Sequence, residues 1–186
     1  MKKVLAIFIV GLCLSTAAVF AQHPEGTGIG IVGQYGLVGG GIGPALSLKL
    51  APVPVYWSVN LKIDDDIFGI GLAGDYYFFD ESLTGSSDFN LGWYLGAGIG
   101  AGISFGSWDG YMGDYNHFGF NAAARLPIGL SAVFVKKVEV FLGFVPALGF
   151  DYASVTYKPK VGSNSTDSDF DIDFDIGGEI GIRIWL

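Results

Sequence analysis

The stretch DFDIGGEIGIRIWL, residues 173–186, decides the fold. Read alternately, it divides into two faces. Phe174, Ile176, Gly178, Ile180, Ile182, Ile184 and Leu186 make one; Asp173, Asp175, Gly177, Glu179, Gly181, Arg183 and Trp185 make the other. A period of two is the signature of a β-strand. The run is longer than the five or six residues usual in soluble sheets and suits a strand tilted across a bilayer. One face is apolar and the other carries both charge signs. That predicts a transmembrane β-barrel strand, with lipid outside and a polar lumen inside.

Working back toward the N-terminus, seven more alternating segments precede it. They cover residues 27–36, 44–50, 55–63, 68–78, 89–103, 118–134 and 138–151. The fifth sets Phe89, Leu91, Trp93 and Leu95 against Asn90, Gly92, Tyr94 and Gly96. Eight strands predict an all-β fold, an antiparallel up-and-down transmembrane barrel. Short turns at residues 51–54 and 136–137 fall on the periplasmic side. Two polar loops, residues 104–116 and 152–169, fall on the outside, and residues 80–88 form a further connection. Pro127 and Pro146 interrupt predicted strands where a closed barrel has no spare N–H to lose, so a local bulge is expected there.

Composition agrees. Of 186 residues, 30 are glycine and only 15% are charged, against about 25% in ordinary soluble domains. Mean hydropathy is +0.48, yet past residue 22 no apolar run approaches the ~18 residues of a membrane helix. Residues 1–21 read as a secretory signal: Lys2 and Lys3, an apolar core from Val4 to Leu14, and Val19-Phe20-Ala21 before the cut. The barrel domain then occupies residues 22–186. Cys13 lies inside the signal, after a Leu12 too large for a lipoprotein site, so the mature chain has no thiol. A formal charge of −8 without a basic patch argues against nucleic acid.

An eight-stranded barrel is just wide enough to be filled by side chains. Inward charges in such a core must pair. The hairpin turns place Lys49 opposite Tyr56 and Tyr56 opposite Asp75, and a lysine spans the ~9–10 Å between alternate strands. Glu139 and Arg183 fall on neighbouring strands, and Arg125 and Glu179 remain as a central pair. Glycines of the fifth strand leave room for Tyr94. On the lipid face, Trp57, Tyr76, Phe78, Phe89, Trp93 and Phe134 gather near the periplasmic rim as an aromatic girdle. In the outer loops, Trp108, Asp109, Tyr111, Tyr115, Lys158 and Lys160 are the candidate binding residues.

Other motifs carry less. Asp171, Asp173 and Asp175 resemble a calcium loop, but Ile176 and Ile182 stand where glycine and glutamate are needed; a solvated acidic rim, partly balanced by Lys158 and Lys160, is expected instead. Gly28, Gly30 and Gly33 match a dinucleotide fingerprint by letters alone, without a preceding strand. Asn164-Ser165-Thr166 reads as loop composition. His23 lies in the N-terminal tail, and His117 stands within reach of Ser104 or Ser107, but no nucleophile motif accompanies them. The chain is expected to be no enzyme and to need no cofactor or metal.

Three stretches carry a resemblance: RLPIGL at residues 125–130, EVFLGFVPAL at residues 139–148, and the final strand with its Gly-Ile-Arg ending. With these the chain resembles small outer-membrane barrels of the OmpX/OmpW type, most of all spirochaetal predicted outer-membrane barrels. The resemblance implies an outer-membrane location among lipid, and insertion by the barrel-assembly machinery, although Leu186 stands where a terminal aromatic is usual. Some such proteins bind host complement regulators at the cell surface; the shared motifs do not cover the loops that would do so. The expected function is a monomeric structural or surface-binding, adhesin-like scaffold with a filled lumen, its loops open to host or extracellular proteins. Alternatives are OmpW-like passage of small hydrophobic molecules, with Phe105, Trp108, Phe118 and Tyr152 lining an outer cavity; a lipid-modifying enzyme; and a soluble lipocalin-like carrier, which would turn Ile180, Ile182 and Ile184 inward.

Overall fold

The computed structural model describes residues 23–36, 42–64 and 66–186. The expected signal peptide, its cleavage point after Ala21 and Cys13 lie outside the described residues, as do most of the glycine-rich turn after the first strand and Asp65. Nine strands follow in chain order: β1 Gly28–Tyr35, β2 Ile42–Lys49, β3 Tyr56–Asp64, β4 Ile67–Gly85, β5 Phe89–Gly110, β6 Gly113–Arg125, β7 Ile128–Phe134, β8 Val138–Pro159 and β9 Ser165–Trp185. All pairings are antiparallel. β6 and β7 are two halves of one stave: both pair with β5 on one side and β8 on the other. β9 pairs with β1, so the staves close into a ring of eight.

The register shows the stagger that closure requires. From Thr84 on β4 it passes through Leu91, Ala132, Val140, Ile182, Ile31, Leu46 and Val59, and returns to β4 at Leu72. The alternation seen in the last strand sets the two faces. Ile180, Ile182 and Ile184 are 61%, 42% and 55% exposed on the outside, while Glu179, Arg183 and Trp185 are buried inside. This is the reverse of a carrier barrel, which buries its apolar face.

Three predicted connections are corrected. Residues 104–110 and 113–116 extend the β5–β6 hairpin, residues 152–159 and 165–169 extend β8–β9, and residues 80–85 extend β4. In these extensions polar residues occupy both faces. The alternation that marks a half-buried strand disappears there, although the ladder hydrogen bonds continue.

The extensions are unequal around the ring. β1 meets β9 only from Gly178 to Trp185, and β4 meets β5 only as far as Gly106. Among the described residues, β5, β6, β8 and β9 therefore rise alone as a tall wall on one side of the mouth.

The proline expectation is also corrected. The ladder is interrupted at Leu126 and Pro127, but Arg125 opposite Ala147 and Ile128 opposite Phe144 keep one register. No residue is added, so this is a gap and not a bulge. Pro127 has no N–H to give. The neighbouring groups bridge the gap: Leu126 N donates to Pro146 O (2.9 Å) and Gly96 N to Pro127 O (2.8 Å). The true bulges are on β4, where Phe78 and Leu83 have no opposite residue on β5.

Candidate functional site: the filled lumen and the tall wall

The lumen is closed by two charge clusters and a stack of rings. Tyr56, Tyr77 and Tyr94 stack across three adjacent staves, with centroids 4.2 Å and 4.4 Å apart. Tyr94 has no exposed surface. Its room comes from the strands beyond it: a Cβ on Gly143 would meet the Tyr94 hydroxyl at 2.7 Å, and one on Gly129 would overlap the same ring.

One cluster holds Arg125, Asp75 and Glu179. Arg125 Nη2 donates to Asp75 Oδ2 at 3.0 Å and lies 3.7 Å from Glu179 Oε2, while the Tyr94 hydroxyl donates to Glu179 Oε1 at 3.2 Å. The other is centred on Glu139, which has no exposed surface. Glu139 accepts from Arg183 Nη1 (2.7 Å), Trp185 Nε1 (2.9 Å) and Ser131 Oγ (3.1 Å). Arg183 also donates to Ser47 Oγ from Nε (3.2 Å) and Nη2 (2.9 Å), and its guanidinium lies over Phe141 and Tyr56.

The register places Lys49 opposite Tyr56 and Tyr56 opposite Asp75. Lys49 nevertheless does not bridge to Asp75. Its ammonium donates to the Leu50 carbonyl (3.1 Å) and rests near the Tyr56 ring, whereas Arg125 takes the carboxylate. The Tyr56 ring stands between the two staves, and Arg183 adds a repelling charge beside Lys49. Arg125 lies at the same level on the other side of Asp75, with only Gly98 between, and its forked guanidinium faces both acids.

Sequence reasoning missed the tail. His23, the first described residue, is buried at the end of the barrel where Leu186 also lies. Its Nδ1 lies 2.7 Å from Asp80 Oδ1, and its backbone N–H donates to Asp80 Oδ2 (3.3 Å). Nε2 faces Glu139 Oε1 at 2.9 Å, off the line of a hydrogen bond. Tyr56, Tyr77, Tyr94 and Trp185 surround the ring at 5.2–6.3 Å. Burial pushes this imidazole toward neutrality. The Glu139 charge 2.9 Å away and the bond to Asp80 outweigh that, and raise its pKa to about 9.

Simple alternation from Tyr76 puts Asp80 on the lipid face. The bulge at Phe78 reverses parity, turning Asp80 inward and Phe79 outward. On the outer face Tyr76, Phe89 and Phe134 are exposed, and Trp57, Phe78 and Trp93 are half-buried. Phe89 packs on Phe134 (5.2 Å), and Phe79 joins the band by stacking on Trp93 (6.0 Å).

On the tall wall, Trp108, Tyr115 and Tyr157 form a ladder across β5, β6 and β8, with centroids 5.5 Å and 4.9 Å apart. Tyr157 Oη donates to Met112 O (3.0 Å), and Lys160 reaches Tyr111 O (3.3 Å). Lys158 lies against the Asn116 amide (2.6 Å). Neither lysine therefore pairs with the Asp167–Asp175 face of β9, which corrects the balanced rim. Asp109 stands opposite Asp114, and Tyr111 is exposed at the hairpin tip.

The residues expected to line an outer cavity do not converge. Phe105, Phe118 and Tyr152 point outward, and Trp108 belongs to the ladder. Ser104 Oγ and His117 Nε2 are 3.1 Å apart, but among the described residues no carboxylate orients that imidazole. Nor, among those residues, does any group of His, Cys, Asp and Glu have the geometry to hold a metal.

A family model described as "Protein of unknown function (DUF3996)" matches residues 47–160, and the chain belongs to that family. No curated protein matches. Among solved structures, the crystal structure of Neisserial surface protein A (NspA) is similar at a TM-score of 0.30 and 14% identity, covering 86% of this chain and 96% of that one.

Proposed function

We propose that this member of the DUF3996 family is an outer-membrane surface protein without enzymatic activity. The barrel is a rigid, side-chain-filled scaffold, and the wall of β5, β6, β8 and β9 binds an extracellular protein, as an adhesin would. The observation that carries this reading is the wall itself. It lifts a ring ladder and, among the described residues, an unpaired strand edge beyond the rest of the barrel. Backbone groups along an unpaired edge are free to pair with another chain. The aromatic ladder supplies rigid contact surface.

The membrane location follows from chemistry. An outer belt of exposed Ile, Leu and Phe is costly in water and matches lipid, and the aromatic band at the end bearing His23 and Leu186 suits an interface. That end is the periplasmic one. Outer-membrane lipid and the barrel-assembly machinery are then the chain's natural partners, and the barrel works as a monomer. Among small barrels, the filled lumen suits an OmpX-like scaffold better than an OmpW-like conduit. The spirochaetal kinship belongs to the same proposal.

Fractionation with protease shaving of intact cells tests this. Cleavage confined to residues 104–116 and 152–169 supports the topology. Recovery of the intact protein in the soluble fraction overturns it.

A further inference from the structure

The end of the barrel where His23 and Trp185 meet, opposite the tall wall, is a mouth built as a ligand site, and the segment before β1 occupies it. Tyr56 comes from β3, Tyr77 and Asp80 from β4, Tyr94 from β5, Glu139 from β8, and Trp185 from β9. Every one of these belongs to the closed wall, so the pocket does not depend on the tail for its shape. His23 precedes β1 and belongs to no strand. A cleft of about 590 Å³ opens beside it, between the tail and the β4–β5 hairpin.

The charges in the pocket are matched only when a cation stands where His23 stands. Arg183 is committed to Glu139 and Ser47. Asp80 has no partner but His23 among the interactions of the described residues. A carboxylate mostly removed from water needs a positive partner. The occupant lies among four rings tilted 47–64° to it, a space that a small flat cation fits. It must give one N–H to Asp80 and bring a second against Glu139, where His23 Nε2 stands 2.9 Å from the carboxylate. Aromatic faces around a cation add to the attraction.

The geometry points to a binding site for planar, N–H-bearing organic cations of the imidazolium or guanidinium class, which His23 fills as a tethered ligand. A quaternary ammonium has no N–H to offer the two carboxylates. An alkali ion cannot use the ring faces and the opposed acceptors together. The inference concerns the mouth alone and holds whatever the tall wall binds.

The test uses His23→Ala in the barrel refolded into detergent micelles, with imidazole as the probe. The readout is the indole N–H resonance of Trp185, assigned by Trp185→Phe; this group donates to Glu139 inside the site. At pH 6, where imidazole is charged, His23→Ala should show a saturable shift and the wild type none. Adding Asp80→Asn should weaken binding at least tenfold, and at pH 9, where free imidazole is neutral, the shift should disappear. No shift in His23→Ala, an equal shift in the wild type, or indifference to Asp80→Asn overturns the inference. If His23→Ala does not refold alone, refolding yield reads the same site. Yield that rises with imidazole at pH 6 and not at pH 9 supports it, and yield indifferent to imidazole overturns it.

Discussion

Arg183→Met should be the most damaging single change in the lumen that leaves side-chain volume nearly unaltered. The guanidinium holds a 2.7 Å ion pair with Glu139, two bonds to Ser47 and ring contacts with Phe141 and Tyr56. Methionine fills much of the space and supplies none of the charge. Glu139 has no exposed surface, so it is left without its strongest partner in a place that water does not reach. Removing one member of a buried pair typically costs about 3–5 kcal/mol. Trp185, Ser131 and His23 still face the carboxylate, which puts the expected loss near the lower end, about 3 kcal/mol. Reversible urea unfolding in lipid bilayers, followed by tryptophan emission, measures it. The double variant Glu139→Gln with Arg183→Met removes both charges and should recover part of that loss, with a coupling energy of roughly 1–3 kcal/mol. A loss below about 1 kcal/mol in Arg183→Met would refute the reasoning, because a pair worth so little is hydrated. Strict additivity in the double variant would refute it as well.

The His23 imidazole, raised to about 9 in the folded chain from the ordinary 6.5, contributes stability that is fully present below pH 6.5 and is lost as pH climbs through 9. The shift corresponds to roughly 3 kcal/mol, so urea midpoints of wild type and His23→Gln should converge between pH 6.5 and 10; profiles that stay parallel across that range contradict the assignment. Gly143→Val puts a branched side chain where even a Cβ meets the Tyr94 hydroxyl at 2.7 Å and Glu179 Cγ at 2.8 Å; a loss of about 1–3 kcal/mol is expected, and an unchanged midpoint would show that the stack shifts freely. Val135 and Lys136 turn the β7–β8 hairpin at φ of 51° and 59°, a region costly for a β-branched residue, so Val135→Gly should stabilise by up to ~1 kcal/mol, readable as a raised urea midpoint. Tyr157→Ala removes the end of the ring ladder and its bond to Met112, and should speed protease cleavage of the β5–β6 hairpin several-fold while leaving the urea midpoint unchanged.

How legible was this in the sequence? The barrel was, because a closed ring with an apolar outside and a polar inside imposes alternation on every strand. Ile180, Ile182 and Ile184 must all face out, and a single-residue slip would turn them inward. Short turns then carry register from one strand to the next. That is why Tyr56 opposite both Lys49 and Asp75, and Glu139 opposite Arg183, follow from counting alone. Counting stops at the backbone. It places Lys49 and Asp75 at one level across Tyr56, but Arg125 stands at that same level on the other side, across Gly98, and took the acid. The upper hairpins were hidden for the opposite reason. Residues 165–169 are polar on both faces, so nothing in their order separates a solvated strand from a loop.

The mouth shows what one bulge can conceal. Period-two reading assumes that every residue on a strand has a partner, and Phe78 has none. From that point β4 runs one step out of phase. Asp80 turns from lipid to lumen, and Phe79 turns from lumen to the outer aromatic band. The same step pairs a lumen carboxylate with the tail, because His23 and Asp80 lie 57 residues apart in sequence and meet only if parity is reversed. A lone histidine before the first strand carries no pattern of its own, and a lone aspartate past a run of aromatics looks like the start of a turn. Neither becomes a signal until the bulge is known. The bulge in turn answers a local problem: Tyr76 and Phe79 both serve the outer band while Tyr77 must stack inside, and an unbulged strand cannot hold that order of faces. The order of faces that the outer aromatic band requires thus creates the acceptor that the tail occupies.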